Sequence, residues 1–223
     1  MALTLLAIDS AGAACSAAVW SDGAVRAVEA VATERGHAVR LAPLAAAALS
    51  AAGIAAMRLD GVVATVGPGS FTGLRVGLAL AHGIALAVGV PAWGMSSFLA
   101  HAAAVPVEER RGAKLVVALD SRRAERFFQI LEGEEGAAAF AATLEDAVAR
   151  LPEGPVLLAG DAADDLRGVL AAAARPVRVA AAGPADAACV ARAAADMLGR
   201  GVALPPARPV YLRAPDVSIA APR

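Results

Sequence analysis

The loop GPGSFTGLR at residues 67–75 comes closest to a phosphate site, because it joins the apolar run GVVATV to a long apolar segment. Glycine-rich loops between a strand and a helix often hold phosphate on free N–H groups. The Walker pattern GxxxxGK[ST] is absent, since Gly73 lies one position too late and leucine follows it. The dinucleotide pattern GxGxxG begins at Gly67 and Gly69 and then has Thr72 in place of its third glycine. The loop therefore predicts a tight turn with a hydroxyl-capped helix, and a phosphate contact is the alternative.

The three histidines are the candidate metal ligands. Two histidines one helical turn apart would share a helix face and could hold a metal together. The residue four positions before His101 is Ser97, and leucine stands four positions after both His37 and His82. We therefore expect no metal site, although histidines distant in sequence could still meet in space.

Length and composition restrict the class of protein. The chain has 223 residues, of which 58% are hydrophobic and 18% charged, so disorder is not expected. A net charge of −1 argues against a general nucleic-acid binder. Cys15 and Cys189 are too few for a disulfide framework, and Asp9 interrupts the N-terminal apolar run, so no signal peptide is expected. The apolar stretch 76–90 carries His82 and predicts a buried or interfacial helix in a cytoplasmic protein, with no membrane span.

The elements that position these residues follow one plan twice. LTLLAIDS, CSAAVW and AVRAVEAVA predict a hairpin and a third strand, followed by a helix, a buried strand and the helix after Gly67. KLVVALDSRRAERFFQIL begins a second round, in which Asp120 takes the place of Asp9. The polar stretch VPVEERRGAK separates the rounds. This pattern predicts a duplicated α/β fold with two mixed-sheet subdomains, one at 1–103 plus the tail 207–223 and the other at 107–205.

The motifs together resemble the TsaB family, also called YeaZ-like. They are LAIDSAGAACSAAVW, His37 with RLAPLAAAAL, GPGSFTGLRVGLALAHGIALA, VPAWGMSSF, ALDSRRAERFF and PVYLR, and they cover nearly the whole chain. The resemblance implies a duplicated actin-like (ASKHA, ribonuclease H-like) fold. It also implies a non-catalytic role in modifying the adenosine beside the tRNA anticodon with a threonylcarbamoyl group.

The resemblance further implies partners. These are a catalytic TsaD-like paralogue and a TsaE-like ATPase, with tRNA reached through the complex. The resemblance implies a four-helix contact with the TsaD-like protein, to which each protein contributes two helices. Those of this chain correspond to about 37–52 and 72–88, and a homodimer through the same helices is an alternative. No cofactor is expected on the chain alone, whereas ATP or ADP could bind at the complex interface. The candidate nucleotide contacts there are Asp9, Ser10, Gly67, Gly69, Ser70 and Thr72.

The glycines of the second helix favour a helix–helix interface. Gly73 and Gly77 share one helix face, and each costs about 1 kcal/mol relative to alanine. Close approach of another helix would compensate, although packing against the chain's own sheet is the alternative. The predicted interface residues are Leu41, Ala45, Ala48, Gly73, Gly77, Leu80 and Ile84.

The rival interpretation is an autonomous actin-like enzyme, either a small-molecule kinase or a metal-dependent, glycoprotease-like hydrolase. A kinase of this fold clamps phosphate between two hairpin turns whose backbones must approach it closely, which glycine permits. The first turn, residues 9–12, ends in glycine, but the second, 120–123, ends in two arginines. Together with the missing second histidine, this favours a non-catalytic subunit.

Overall fold

A computed structural model describes residues 3–32, 36–132, 135–173 and 175–213, and the end of the predicted tail at 214–223 lies outside them. The first half contains β1 (Leu5–Asp9), β2 (Ala14–Ser21), β3 (Ala24–Ala32), α1 (His37–Ala52), a 3₁₀ turn (Ala56–Arg58), β4 (Gly61–Gly67), α2 (Phe71–Val88), β5 (Ala92–Ser96) and α3 (Ser97–Ala104). The second half contains α4 (Val107–Arg110), β6 (Lys114–Leu119), β7 (Arg126–Glu132), β8 (Glu135–Gly136), β9 (Phe140–Ala142), α5 (Leu144–Val148), β10 (Val156–Ala159), α6 (Ala163–Ala172), β11 (Val177–Val179) and α7 (Ala187–Gly199).

The two halves form separate sheets with the same strand order. Sheet 1 runs β3-β2-β1-β4-β5, and sheet 2 runs β11-β10-β6-β7-β8 with β9 also paired to β7. In each sheet, the hairpin partner of the central strand is antiparallel, and the strands on its other side are parallel. The predicted duplicated α/β fold with two mixed sheets is confirmed.

Sheet 1 is covered by helices on both faces, which explains its apolar sequence. Every residue of β1 and β4 is buried, as expected for central strands enclosed between two layers. Alternate residues of β1 point to opposite faces, so Leu6 and Ile8 pack under α1 and α2, whereas Leu5 and Ala7 pack under α3 and α7. β3 is paired on one side and alternates exposed with half-buried residues, as an edge strand does.

The last helix departs from the predicted subdomain boundaries. α7 follows sheet 2 in the chain, but its alanine-rich face packs against sheet 1, and Ala187 N donates to Ser16 Oγ at 2.9 Å. α3 is shared, because Ala100 packs on sheet 1 while Phe98 and Ala102 pack on sheet 2. The 107–205 subdomain is therefore corrected: its final helix belongs to the core of the first.

The tail returns to sheet 1 beside β5. Ala207 N donates to Ala92 O at 3.2 Å, and Val210 N donates to Val66 O at 2.8 Å. His82 of α2 shares a 2.8 Å hydrogen bond with Ala207 O. These contacts fix the tail across the end of the strand that leads into the glycine loop.

Helix α2 is long and apolar enough to cross a membrane by length and composition alone, with a mean hydropathy of 1.6 over 18 residues. Core helices of folded domains also meet this test. One side of α2 packs in the core of sheet 1 through Leu78, Ala81 and Ala85, and Leu74 is buried as well. Only 33% of the helix is buried, however, so its opposite side faces outward.

Candidate functional site

The glycine loop and the first hairpin turn lock onto each other. Ser70 N donates to Ala11 O at 2.7 Å, and Ser10 Oγ donates to Gly73 O at 2.9 Å. A Cβ on Gly69 would lie 2.5 Å from Ala11 O, so only glycine allows this approach. Ser70 caps α2 by accepting from Gly73 N at 3.2 Å. The predicted turn with a capped helix is therefore what the structure contains.

Most of the candidate nucleotide contacts meet in this region, but several groups are already engaged. Asp9 and Ser10 are buried, with 9% and 1% of their surface exposed. Gly67 has φ +112° and lies beside Val210 O, while Thr72 is exposed. The carbonyl groups of the first turn occupy the space in front of α2. The nucleotide contact stays a prediction.

Gly73 and Gly77 of α2 face this chain's own hairpin. A Cβ on Gly73 would overlap Ser10 O, and a Cβ on Gly77 would overlap Ser10 Oγ. Leu41, Ala45 and Ala48 are likewise buried in the core of sheet 1, with exposures of 0%, 2% and 0%. Leu80 and Ile84 are half-buried. The residues of the predicted interface are thus corrected, because five of the seven are used by intrachain packing.

Part of the outward side of the same two helices is apolar, beside the exposed Arg40, Arg75 and His82. Leu86 is 86% exposed and Val39 is 75% exposed. Exposed positions recur at helical spacing on both helices, and we call them the outer face: Val39, Pro43 and Ala46 on α1, and Ala79, Gly83 and Leu86 on α2. None of the six carries a charge. If α1 and α2 form an interface, we therefore expect the outer face to make the contact instead of the buried residues.

Asp9 ends β1 in a buried polar niche. Its Oδ1 accepts from Thr65 Oγ1 at 2.7 Å and from Ala11 N at 3.1 Å. Burial raises the pKa of the Asp9 carboxyl above its ordinary value of 3.8, although the two hydrogen bonds lower it. The carboxylate is therefore held at a cost to stability.

We expect Asp9→Asn to raise the melting temperature at pH 7 by a few degrees. A raised pKa in the folded state favours folding most below pH 3.8, and this contribution is lost as pH rises through the folded pKa. Asparagine is neutral at both pH values, so the increase in melting temperature should be larger at pH 7 than at pH 4. Thermal unfolding at the two pH values checks this, and a lower melting temperature for the variant at pH 7 would contradict it.

His101 lies on α3 within range of the Asp9 and Asp161 carboxylates. Burial lowers the pKa of the His101 imidazole, and the charges of Asp161 and Asp9 partly oppose this. Ser97, one turn earlier, is 4% exposed, and its Oγ has no hydrogen-bond partner among the residues that the structure describes. Within the same residues, no group of three or more His, Cys, Asp or Glu side chains could hold a metal ion.

Ion pairs surround the second hairpin turn. Arg126 contacts Asp120 at 3.4 Å and Asp165 at 3.5 Å, and Asp120 N donates to Asp161 Oδ1 at 2.7 Å. Arg122 takes a left-handed backbone conformation, with φ +58°. The second half of a phosphate clamp is thus built from charged side chains and not from bare backbone.

Comparison with known proteins identifies relatives of this chain. A family model described as TsaD, tRNA N6-adenosine threonylcarbamoyltransferase, matches residues 30–159. The tRNA threonylcarbamoyladenosine biosynthesis protein TsaB of Escherichia coli is 33% identical over 134 residues, which is 60% of this chain and 57% of that protein. The structure of YeaZ from Pseudomonas aeruginosa has a TM-score of 0.76 at 26% identity and covers 94% of this chain and 100% of its own. The chain belongs to the TsaB/YeaZ family.

More distant matches of this TsaB/YeaZ chain concern the fold alone. The ROK hexokinase from Thermus thermophilus is 18% identical, with a TM-score of 0.50, and covers 86% of this chain and 97% of its own. This similarity places the chain among actin-like folds.

The Haemophilus influenzae TsaB is 35% identical over 126 residues, which is 56% of this chain and 52% of that protein. The matched segments thus span only about half the length of the curated relatives.

A second cluster on this TsaB/YeaZ chain was not singled out by the sequence patterns. The Arg75 guanidinium carbon lies 3.7 Å from the centre of the Phe71 ring, and Arg75 Nε donates to Tyr211 Oη at 3.3 Å. The Phe71 and Tyr211 ring centres are 5.4 Å apart. The sequence contains the residues of this cluster in FTGLR at the start of α2 and in PVYLR in the tail. Only the fold shows that these two segments meet.

Proposed function

We propose that this chain is a non-catalytic, cytoplasmic subunit in tRNA threonylcarbamoyladenosine synthesis. In this role it binds and activates a TsaD-like transferase, which works with a TsaE-like ATPase. Its membership of the TsaB/YeaZ family supports the proposal, as does its similarity to the Escherichia coli tRNA threonylcarbamoyladenosine biosynthesis protein TsaB. tRNA reaches the chain through the complex.

The observation that carries the proposal is the outer face of α1 and α2. Leu86 and Val39 expose most of their surface, although apolar side chains of this size gain roughly 1.5–3 kcal/mol from burial. Their neighbours on the outer face are small, which allows the backbone of another helix to approach closely. Apolar exposed patches of this kind mark protein–protein contacts. We propose that this surface binds a helix pair of a TsaD-like protein.

The absence of catalysis is supported by two replacements. Ser97 stands where a second histidine would be needed beside His101 on α3, and its buried hydroxyl is a poor metal ligand. Arg122 and Arg123 stand where a nucleotide clamp needs bare backbone. We propose that any ATP or ADP contact is completed by the partner, with Asp9 and Gly67 on this side.

Co-elution with a TsaD-like paralogue from the same organism tests the function. We expect a stable complex in size-exclusion chromatography, and threonylcarbamoyl transfer to tRNA by the paralogue and ATPase only when this chain is present. If the chain elutes as a homodimer and leaves transfer unchanged, the proposed function is wrong. Activity of the chain alone on nucleotides or peptides would favour the autonomous enzyme.

A further inference from the structure

The cluster of Phe71, Arg75 and Tyr211, here called the stacking platform, is built from flat groups that remain open to solvent. Phe71 is 44% exposed and Tyr211 is 42% exposed, and Arg75 is exposed as well. The Arg75 guanidinium already lies over one ring and holds the hydroxyl of the other. Two aromatic rings and a guanidinium are thus held together at the start of α2.

Anchoring the tail does not explain this exposure. The tail is fixed to sheet 1 by the backbone hydrogen bonds of Ala207 and Val210, which do not involve the platform. A purely structural anchor would bury its rings, since burial supplies the free energy. The rings of the platform instead present area to solvent, as residues that bind a ligand do.

The segments that carry the platform favour an anion, although Glu125 contacts Arg213, two residues after Tyr211, at 3.7 Å. No Asp or Glu occurs in residues 61–107, which include the whole of α2, or in residues 197–215, which include the tail. The tail adds Arg208, which is exposed three residues before Tyr211. The platform therefore lies between two segments without acidic groups in a chain whose net charge is −1.

Flat rings, a guanidinium and local positive charge match one ligand chemistry, a nucleobase attached to phosphate. Aromatic rings and arginine planes are the groups on which proteins stack unpaired RNA bases. We propose that the stacking platform binds an unpaired base of single-stranded RNA, with Arg208 close to its phosphate. That this RNA is the substrate tRNA rests on the proposed function.

The local structure favours an RNA strand over a free nucleotide. A free nucleotide needs N–H groups for its phosphates and walls around its base. At the start of α2, Ser70 N is bound to Ala11 O and Gly73 N to Ser70 Oγ. An open platform suits a base that is presented by a longer strand, because contacts elsewhere on the strand add to the affinity.

The single tyrosine of the chain makes the platform directly observable. With 3-fluorotyrosine incorporated, the ¹⁹F spectrum reports Tyr211 alone. We expect a short single-stranded oligoadenylate RNA to shift this resonance saturably, and ATP at equal concentration to shift it much less. No shift with RNA would overturn the proposal, and an equal or larger shift with ATP would assign the platform to free nucleotides instead.

Variants separate stacking from general charge. Phe71→Ala and Arg75→Gln should each weaken RNA binding by about tenfold or more. Arg58→Gln is the matched control, since Arg58 is a surface arginine at the opposite end of β4 from the glycine loop, and it should bind as the wild type does. Circular dichroism checks that each variant is folded. Equal binding by all folded variants, or equal losses in the control, contradicts the platform.

The outcome is distinguishable from failure of the proposed function. If the chain activates the transferase while Phe71→Ala still binds RNA normally, the platform is wrong and the function stands. If RNA binding depends on Phe71 and Arg75 but no TsaD-like partner is activated, the platform stands and the function is wrong.

Discussion

Gly73→Ala is expected to lower the free energy of unfolding by roughly 3 kcal/mol, or the melting temperature by about 10 °C. The added methyl group would overlap the carbonyl oxygen of Ser10. That oxygen belongs to the backbone of the first hairpin turn, which is also tied to α2 through the Ser10 hydroxyl and through Ala11. The methyl group therefore forces apart two elements that cannot yield as a side chain would. Thermal and urea unfolding measure the loss.

Gly83→Ala is the matched control on the same helix. A Cβ at Gly83 meets nothing within 4 Å, and Gly83 lies on the outer face. Alanine there should raise stability by about 1 kcal/mol, because glycine is a poor helix former. Equal effects at the two positions would show that helix propensity, and not the contact with Ser10, decides the role of Gly73.

The second large effect is expected at Leu86. Leu86→Arg places a charge within the proposed contact and should weaken binding of a TsaD-like partner by roughly 100-fold, or about 2.7 kcal/mol. Leu86 is 86% exposed, so the fold itself should be unaffected. Titration calorimetry with the purified paralogue measures the affinity.

Val107→Arg serves as the control for this variant. Val107 is a comparable exposed apolar residue, 67% exposed, but it lies on α4 in the second half. Its replacement should leave the affinity unchanged. If Leu86→Arg binds as tightly as Val107→Arg, the outer face is not the interface.

Much of the fold follows from sequence patterns that are local. The central strands are short apolar runs ending in Asp9 and Asp120, and turns and helices follow each at matching positions. The position of α7 could not be derived in this way. Its sequence AACVARAAADMLG shows an amphipathic helix but carries nothing that selects sheet 1 over sheet 2. That choice depends on contacts with residues more than 160 positions away, such as Ser16.

The candidate site was predictable to the same extent. Gly73 and Gly77 indicated that something approaches α2 closely, but glycine does not say what. The approaching group is Ser10 of the same chain. The helix face predicted to bind a partner therefore packs inside this chain. The stacking platform needs Arg75 and Tyr211, which are 136 residues apart, and only the returning tail brings them together.

The location of α7 has a consequence for synthesis on the ribosome. The face of sheet 1 that carries Leu5 and Ala7 is covered only by α3 until residues 187–199 have emerged. Translation proceeds at about 5–20 residues per second, so this apolar face waits for several seconds beside the exit tunnel. The N-terminal half is made first and completed last. A nascent chain of this kind is a natural client for chaperones that bind near the tunnel.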